Sequence, residues 1–539
     1  MVKRKQASHG ELRSSQIPIS LHRYDLPNIN ANSKECLNIE HLQPFFPPIQ
    51  KLFKTGELER ITEFGIRFNE EITGFVDSTH IKTNAGNVRE IHSKITMILS
   101  PYKWMRGEYA DMIGLPTSAE KASVVSEKIQ NPNNASYVGA IISSVLSQTE
   151  CRHFPRVYGV FTGLSLKHTI DISDDYLELS ERPWFSQNIG KTFEIRLSEN
   201  VQESTEFKHT RTARLSIQLG DEVDLGDVDE IAPIEVGNVE MASLTKISQH
   251  EEENDDQSDS SSVSTSYIFN VRSCDCSEDD EDEDEGESFA WATFKNVPVQ
   301  VTIMEKCVGT LYELFVMNPD TEKHLAWIAQ VMFALAYAQR TCGLTHNDLH
   351  ANNVMYVETT EEYFYYSCGG VLYKVPTYGY LIKIIDFERG IASVKIVGMR
   401  EPKLFMSDHY HAEEEAGGQY NYGDFYNQKY SETKPNPSFD LVRLATSIFW
   451  DLFPEGPNWS EYSENTLFKL FMKWLTLEDG KSVLFSKLSE MHDRYHGFHL
   501  YKAISRFCKD AVPRKDVQIL KDIYSVENVG DGSPVLLID

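Results

Sequence analysis

The stretch His346-Asn347-Asp348-Leu349-His350-Ala351-Asn352-Asn353 decides how the rest of this chain is read. It sets an acid directly after a His-x pair and an amide five residues further on. About thirty residues later, Leu381-Ile382-Lys383-Ile384-Ile385-Asp386-Phe387 is an apolar strand that ends in a second acid. Asp348 follows a helical pattern over His324–Arg340 through the short link Thr341–Thr345, which places it on a rigid loop. Asn353 opens the strand Asn353–Val357 and Asp386 closes Leu381–Ile385, so a hairpin of these strands brings both side chains to one end. Alone, Asp348 reads as a turn aspartate; with Asn353 and Asp386 at these spacings it reads as one member of a site.

Moving outward, Phe439-Asp440-Leu441-Val442-Arg443-Leu444-Ala445 opens a helix with a further acid, in a position that also suits helix capping. Upstream, Asn84-Ala85-Gly86-Asn87 is a hairpin turn leading into the strand Val88–Leu99, which carries Lys94. Thr117-Ser118-Ala119-Glu120 resembles a capping box for a helix that Asn131-Pro132 ends, and that helix carries Glu127. A second helix presents Tyr137, Ile141, Ile142, Val145 and Leu146 on one face and holds no acid over Ser136–Ser147. Phe154–Phe161 returns to strand character, and Val299–Glu305 is an alternating strand. Helical patterns dominate afterwards, over His324–Arg340, Phe439–Phe453, Leu467–Leu475 and Tyr501–Asp510. Strands come first and mostly helices later, the order of an α+β protein in two parts.

The chain has 539 residues, enough for a two-part enzyme with insertions. Its formal charge of −29 opposes non-specific attraction to nucleic acid or to anionic membranes. Sixteen acids and one base, Arg272, fall between Glu251 and Glu287, so about half of the net charge sits in a small part of the chain. The acidic, Ser-rich stretch over about 245–290 lacks the apolar surface that offsets ordering entropy, and is expected to be a disordered insertion. Residues 1–41 are polar and irregular and are expected to be a mobile tail. The eight cysteines show no framework spacing, and Cys274-Asp275-Cys276 has no second Cys/His pair nearby. No run approaches the about eighteen apolar residues of a membrane span, and the basic start Met1–Lys5 leads into no apolar stretch. Reduced thiols in a cytoplasmic compartment are the expectation.

The motifs around Asp348, Asp386, Lys94 and Asp440 together resemble the eukaryotic-type Ser/Thr protein kinases. More narrowly, Ile91-His92-Ser93-Lys94, Val375–Tyr380 and Pro437–Ala445 resemble the divergent kinases encoded by large cytoplasmic DNA viruses, the iridoviruses and giant viruses. The resemblance covers about 45–513 apart from the acidic insertion. It implies a bilobal fold, with an antiparallel-sheet N-lobe over 42–304 and a hinge and helical C-lobe over 305–539. It also implies ATP and magnesium as cofactors, protein hydroxyls as acceptors, and a cytoplasmic or virion location.

Phosphoryl transfer asks for positioning and charge neutralisation more than covalent chemistry. In that frame Asp348 is the base, and Asn353 and Asp386 are oxygen ligands for magnesium, which keeps several waters and needs few side chains. Lys94 holds the α- and β-phosphates, with Glu127 as its expected partner. His346 holds the loop together, and Asp440 anchors the loop backbone. Glu305 and Cys307, in Glu305–Leu311, belong to the hinge that pairs with adenine. No G-x-G-x-x-G occurs; Gly65 and Gly74 precede the Lys94 strand and stand in for the phosphate loop, ordinary turns being the plainer account of both.

Three departures shape the alternatives. His350 stands where protein kinases carry a lysine, a variant shared with small-molecule phosphotransferases; imidazole donates one hydrogen bond to phosphate and is largely neutral at pH 7. Glu388 replaces the glycine of Asp-Phe-Gly, and no Ala-Pro-Glu follows. Glu413-Glu414-Glu415 lies in that later segment as a solvated or phosphate-mimicking patch. The competing expectations are therefore a scaffolding pseudokinase and a small-molecule kinase. Basic proteins are the expected partners of the acidic insertion, which otherwise serves as a solvated linker.

Overall fold

A computed structural model of the chain describes residues 17–109, 114–116, 124–173, 175–198, 289–410, 436–486, 493–495, 498–530 and 533–539. The acidic stretch, Cys274, Cys276 and Glu413–Glu415 lie outside the described residues, as does the capping sequence Thr117–Glu120.

The first part is built on a curled six-stranded antiparallel sheet. Its order is Ile39–Gln43, Val157–Ser165, Val297–Glu305, Val88–Met97, His80–Thr83 and Ile72–Phe75. Val297–Glu305 is central, and Val299, Val301 and Ile303 alternate with Gln300, Thr302 and Met304 in a strand buried on both faces. The hairpin at Asn84–Asn87 forms as the sequence implies, with Gly86 at φ +79°, a conformation glycine adopts without cost. The strand it feeds places residues 94 and 96 on one face and 91, 93 and 97 on the other, since side chains alternate along a strand. Opposite Lys94 sits Thr302.

The helix Ala135–Ser147 packs on this sheet between the Lys94 strand and Val157–Ser165 in chain order. Asn134 starts it by accepting from the Ser136 N–H and ties it to the sheet by donating to Ile98 O. Nearly every position of this helix is buried, which accounts for its apolar composition.

The second part centres on the helix Thr321–Cys342, capped by Asp320 and closed by Gly343 at φ +60°. Against it lie the helix Thr466–Leu475, which in turn carries Phe439–Leu452, and a three-stranded sheet of Gly309–Thr310, Val354–Glu358 and Tyr380–Ile384. Both of the last two strands were expected. Val354 pairs with Ile384, so Asn353 and Asp386 do emerge at the same end. They are not joined by a simple hairpin, however: a second ladder, Tyr363–Cys368 with Val371–Pro376, is inserted between them. The C-terminal segments Ser525–Val526 and Val535–Leu537 complete that ladder as its edges. The later half is thus mixed rather than mostly helical.

The expected tail also needs correction. From Ile17 onward the chain is built into the fold: Leu21–Arg23 pairs with Phe64–Ile66, Ile17 bridges to Ile396, and Ile19, Tyr24, Ile29 and Ile39 are buried. Isolated apolar residues among polar ones gave no periodic signal, yet each fills a site made by distant segments. Among the described residues, no helix is long and apolar enough to cross a membrane.

Candidate active site

Lys94, His346, Asp348, Asn353, Asp386 and Asp440 come together where the sheet meets the loops that follow the helix Thr321–Cys342. Asp440 organises the first of these loops. It is fully buried, and its two carboxylate oxygens each accept one backbone N–H, from His346 and from Asn347, both at 2.9 Å. Burial raises the Asp440 carboxyl pKa, and His346 with the two N–H donors pulls it part of the way back. Asn347 sits at φ +66°, a strained position for a side-chain-bearing residue, and its amide is held by Arg389 O at 3.0 Å. His346 crosses to the second acidic segment: its Nε2 lies 2.7 Å from Ile385 O, and its ring packs on Phe387. These contacts fit the loop-holding role expected of His346.

Asn353 donates its amide N–H to Asp348 O at 2.9 Å, while Ile385 N–H donates to Asn353 O at 3.0 Å. The loop and the Asp386 segment are thereby locked in register, and the Asn353 side-chain oxygen remains for another partner. Asp386 itself lies at φ +65°. Its Oδ1 is 2.7 Å from Lys94 Nζ, a contact across 292 residues of chain.

Glu127 does not meet Lys94. It is exposed on the short helix Val124–Ile129, whereas Lys94 pairs with Asp386 and, at 2.9 Å, with Glu388. Burial works against the Lys94 ammonium, and the two carboxylates more than restore it, raising its pKa above that of an ordinary lysine. Glu388 also accepts from Thr96 Oγ1 at 2.8 Å, so one carboxylate engages both residues on this face of the strand. The helix Ala135–Ser147 makes room for it. A Cβ on Gly139 would stand 2.8 Å from Glu388 Cγ and 3.3 Å from its Cα and N. A mid-helix glycine costs about 1 kcal/mol relative to alanine, and this close approach is what it permits. Gly390 is used the same way, with a Cβ there meeting Ile142 Cδ1 at 2.8 Å.

Asp348 is held by groups that the sequence did not associate with it. Arg389 Nη1 lies 3.1 Å from one oxygen, and the Tyr501 hydroxyl donates to the other at 2.8 Å. Burial alone would raise the Asp348 carboxyl. The charges of Arg389, His350 and Arg443 and the Tyr501 hydrogen bond outweigh burial and hold it well below the ordinary carboxylate range. His350 is buried, with its N–H on Asp348 O at 3.0 Å.

The residues expected for nucleotide contact are divided. Glu305 ends the central strand, and its Oε2 accepts from Lys383 Nζ at 2.8 Å and from Arg156 N–H at 3.1 Å. Beyond it, burial pushes the Cys307 thiol up to about 12, and Val308 N–H donates to Tyr356 O. Among the described residues the Cys307 backbone makes no hydrogen bond. Gly65 is not in a phosphate loop: it pairs within Leu21–Arg23 and Phe64–Ile66, and a Cβ there would stand 2.5 Å from Pro44 Cβ. Gly74 lies in the edge strand of the six-stranded sheet, just before the turn Asp77–Thr79, with ordinary space around it.

Further along, Asp408 joins the segment after Asp386 to the Gly139 helix. It accepts from Ala135 N–H at 2.9 Å and pairs with Lys128 at 2.7 Å. Tyr410 then donates to Arg389 O at 2.6 Å, closing the loop on itself. Among the described residues, no group of three or more His, Cys, Asp or Glu side chains is arranged around one point. Magnesium does not require one, because it takes one or two carboxyl or amide oxygens and completes its shell with water. The Asp386 carboxylate and the Asn353 amide oxygen fit such a need. No protein-family model matches this chain, and no curated protein does.

Proposed function

We propose that this protein is an ATP- and magnesium-dependent phosphotransferase of the Ser/Thr protein kinase type, moving the γ-phosphoryl group of ATP to protein hydroxyls. The observation that carries the proposal is the 2.7 Å pair between Lys94 and Asp386, residues 292 apart in the chain that meet beside the Asp348 loop. The two-lobed kinase architecture belongs to the same proposal. It is supported by five successive sheet neighbours, from Ile72–Phe75 to Val157–Ser165, with the helix Ala135–Ser147 lying in chain order between the third and the next.

In this reading Asp348 orients and accepts the proton of the acceptor hydroxyl. Its depressed pKa keeps it ionised at neutral pH, which favours positioning over strong basicity. Asp386 and Asn353 would hold magnesium, which supplies charge neutralisation on the phosphates when bound. Lys94 contributes a fixed positive charge to the same oxygens, and the Cys307 backbone leaves a donor and an acceptor for the adenine edge. The Asp440 clamp holds the loop before any ligand arrives, so little reorganisation is asked of it at the reacting moment. The acidic stretch 251–287 would recruit basic protein partners.

A second reading, a catalytically silent scaffold, is favoured by one observation: both Asp348 oxygens already have partners, Arg389 and Tyr501. The deciding assay offers radiolabelled ATP and magnesium to the purified protein and to Asp348→Asn, with basic proteins and aminoglycosides as acceptors in parallel. Loss of a general base costs about a hundred- to ten-thousand-fold. Equal incorporation by both proteins refutes the role of Asp348. Nucleotide binding without incorporation by either supports the scaffold, and labelling of the aminoglycoside alone replaces protein by a small-molecule acceptor.

A further inference from the structure

The geometry points to Glu388 as the positioning residue of Lys94, delivered from the loop just after Asp386 and admitted by the missing side chain of Gly139. This inference rests on the phosphotransferase reading and deepens it. In that reading the phosphate-binding lysine needs a carboxylate to hold its ammonium in place. The helix Ala135–Ser147, which packs on the neighbouring strands Val157–Ser165 and Val297–Glu305, carries no acid. Where it meets Glu388 it has Gly139, and the space a side chain would take there is filled by Glu388.

Three contacts define the arrangement. Glu388 Oε1 is 2.9 Å from Lys94 Nζ and 2.8 Å from Thr96 Oγ1, and the Glu388 backbone and Cγ lie against Gly139. Lys94 and Thr96 project from the same strand face, so one oxygen bridges two residues whose spacing the strand holds rigid. The hydroxyl keeps the carboxylate from following the ammonium or turning to solvent. Asp386 is the other acid on Lys94. Once Asp386 is drawn to a cation, Lys94 retains Glu388, whose Thr96 bond and Gly139 contact hold it independently of any ligand.

Two substitutions test this, with two readouts. Glu388→Gln keeps the shape and the Thr96 hydrogen bond and removes the charge. Gly139→Glu combined with Glu388→Gly returns the carboxylate from the helix; the 2.8 Å offset between the Gly139 Cβ site and Glu388 Cγ is within reach of the added side chain. The first readout is the rate of Lys94 acylation by an amine-directed reagent, followed by mass spectrometry in the full chain without nucleotide. Glu388→Gln is expected to raise that rate several-fold, and the double variant to lower it again. The second is steady-state phosphoryl transfer, in which misplacing Lys94 costs on the order of a hundredfold in kcat/KM for ATP and the double variant recovers part of it.

Unchanged labelling in Glu388→Gln overturns the pairing. With an active wild type, unchanged kcat/KM in Glu388→Gln overturns the positioning role and leaves the phosphotransferase reading standing. A wild type that neither binds ATP with magnesium nor transfers phosphate refutes that reading and the catalytic role of Glu388 with it, whatever the labelling shows.

Discussion

Replacing Asp440 by alanine is the sharpest perturbation of the loop that carries Asp348. The side chain is fully buried and makes two hydrogen bonds of 2.9 Å to the N–H groups of His346 and Asn347. Each buried donor left without an acceptor costs about 1–3 kcal/mol. Two of them come to about 2–6 kcal/mol, reduced by relief from burying a carboxylate whose pKa is already raised. A net local loss of about 3 kcal/mol is expected, which corresponds to about a hundredfold faster exchange of these amides, since 1.4 kcal/mol is about tenfold. Asp440→Asn keeps one acceptor and should fall near the logarithmic midpoint. Hydrogen exchange of the peptide spanning Leu344–Leu349, read by mass spectrometry with circular dichroism as the folding control, measures it. Exchange in Asp440→Ala within about threefold of wild type, with the fold intact, would refute the claim that this carboxylate holds the loop.

Two further expectations concern buried charge. Lys383→Met strands Glu305 at the end of the central strand and should destabilise by about 3 kcal/mol, because Lys383 is only 4% exposed and the pair is desolvated. Lys383→Met with Glu305→Gln should recover part of that loss, and strictly additive changes in thermal midpoint would show that the pair is not coupled. His153 is buried between Ile382 O and the Tyr366 hydroxyl, and burial lowers its pKa from 6.5 to about 4. The unfolded chain therefore binds the extra proton first. Stability from this residue is complete above about pH 6.5 and is lost as pH falls towards 4, by up to about 3 kcal/mol. His153→Asn should flatten the fall in thermal midpoint between pH 7 and pH 4.5, and an unchanged slope would contradict the assignment.

Much of the site was legible because its members belong to short, locally ordered segments. Asp348 and Asn353 are separated by one tight loop, Asp386 ends an apolar strand, and Asp440 opens a helix; spacing alone puts each on the right element. The inserted ladder has a local signal as well, the aromatic run Tyr363–Tyr366 followed by the Gly369-Gly370 turn of a hairpin. The partner of Lys94 was not legible. Glu127 was the acid on a nearby helix, but an ion pair depends on distance in space, and Glu388 reaches Lys94 only because Gly139 lets a loop 292 residues from Thr96 settle on the helix. Arg389 and Tyr501 around Asp348 carried no local signal either, since one is 41 and the other 153 residues away.

Read alone, the sequence determined the order of acids, amide and lysine, and so the chemistry they can share, because those assignments need only the short-range geometry of loops and strands. Tertiary structure alone decided which charges pair, which glycines make room for a neighbour, and that the segment from Ile17 is part of the fold. Each of these depends on surfaces formed by segments far apart in the chain, and burial, which sets the cost of an unpaired charge, exists only once those segments have closed on one another.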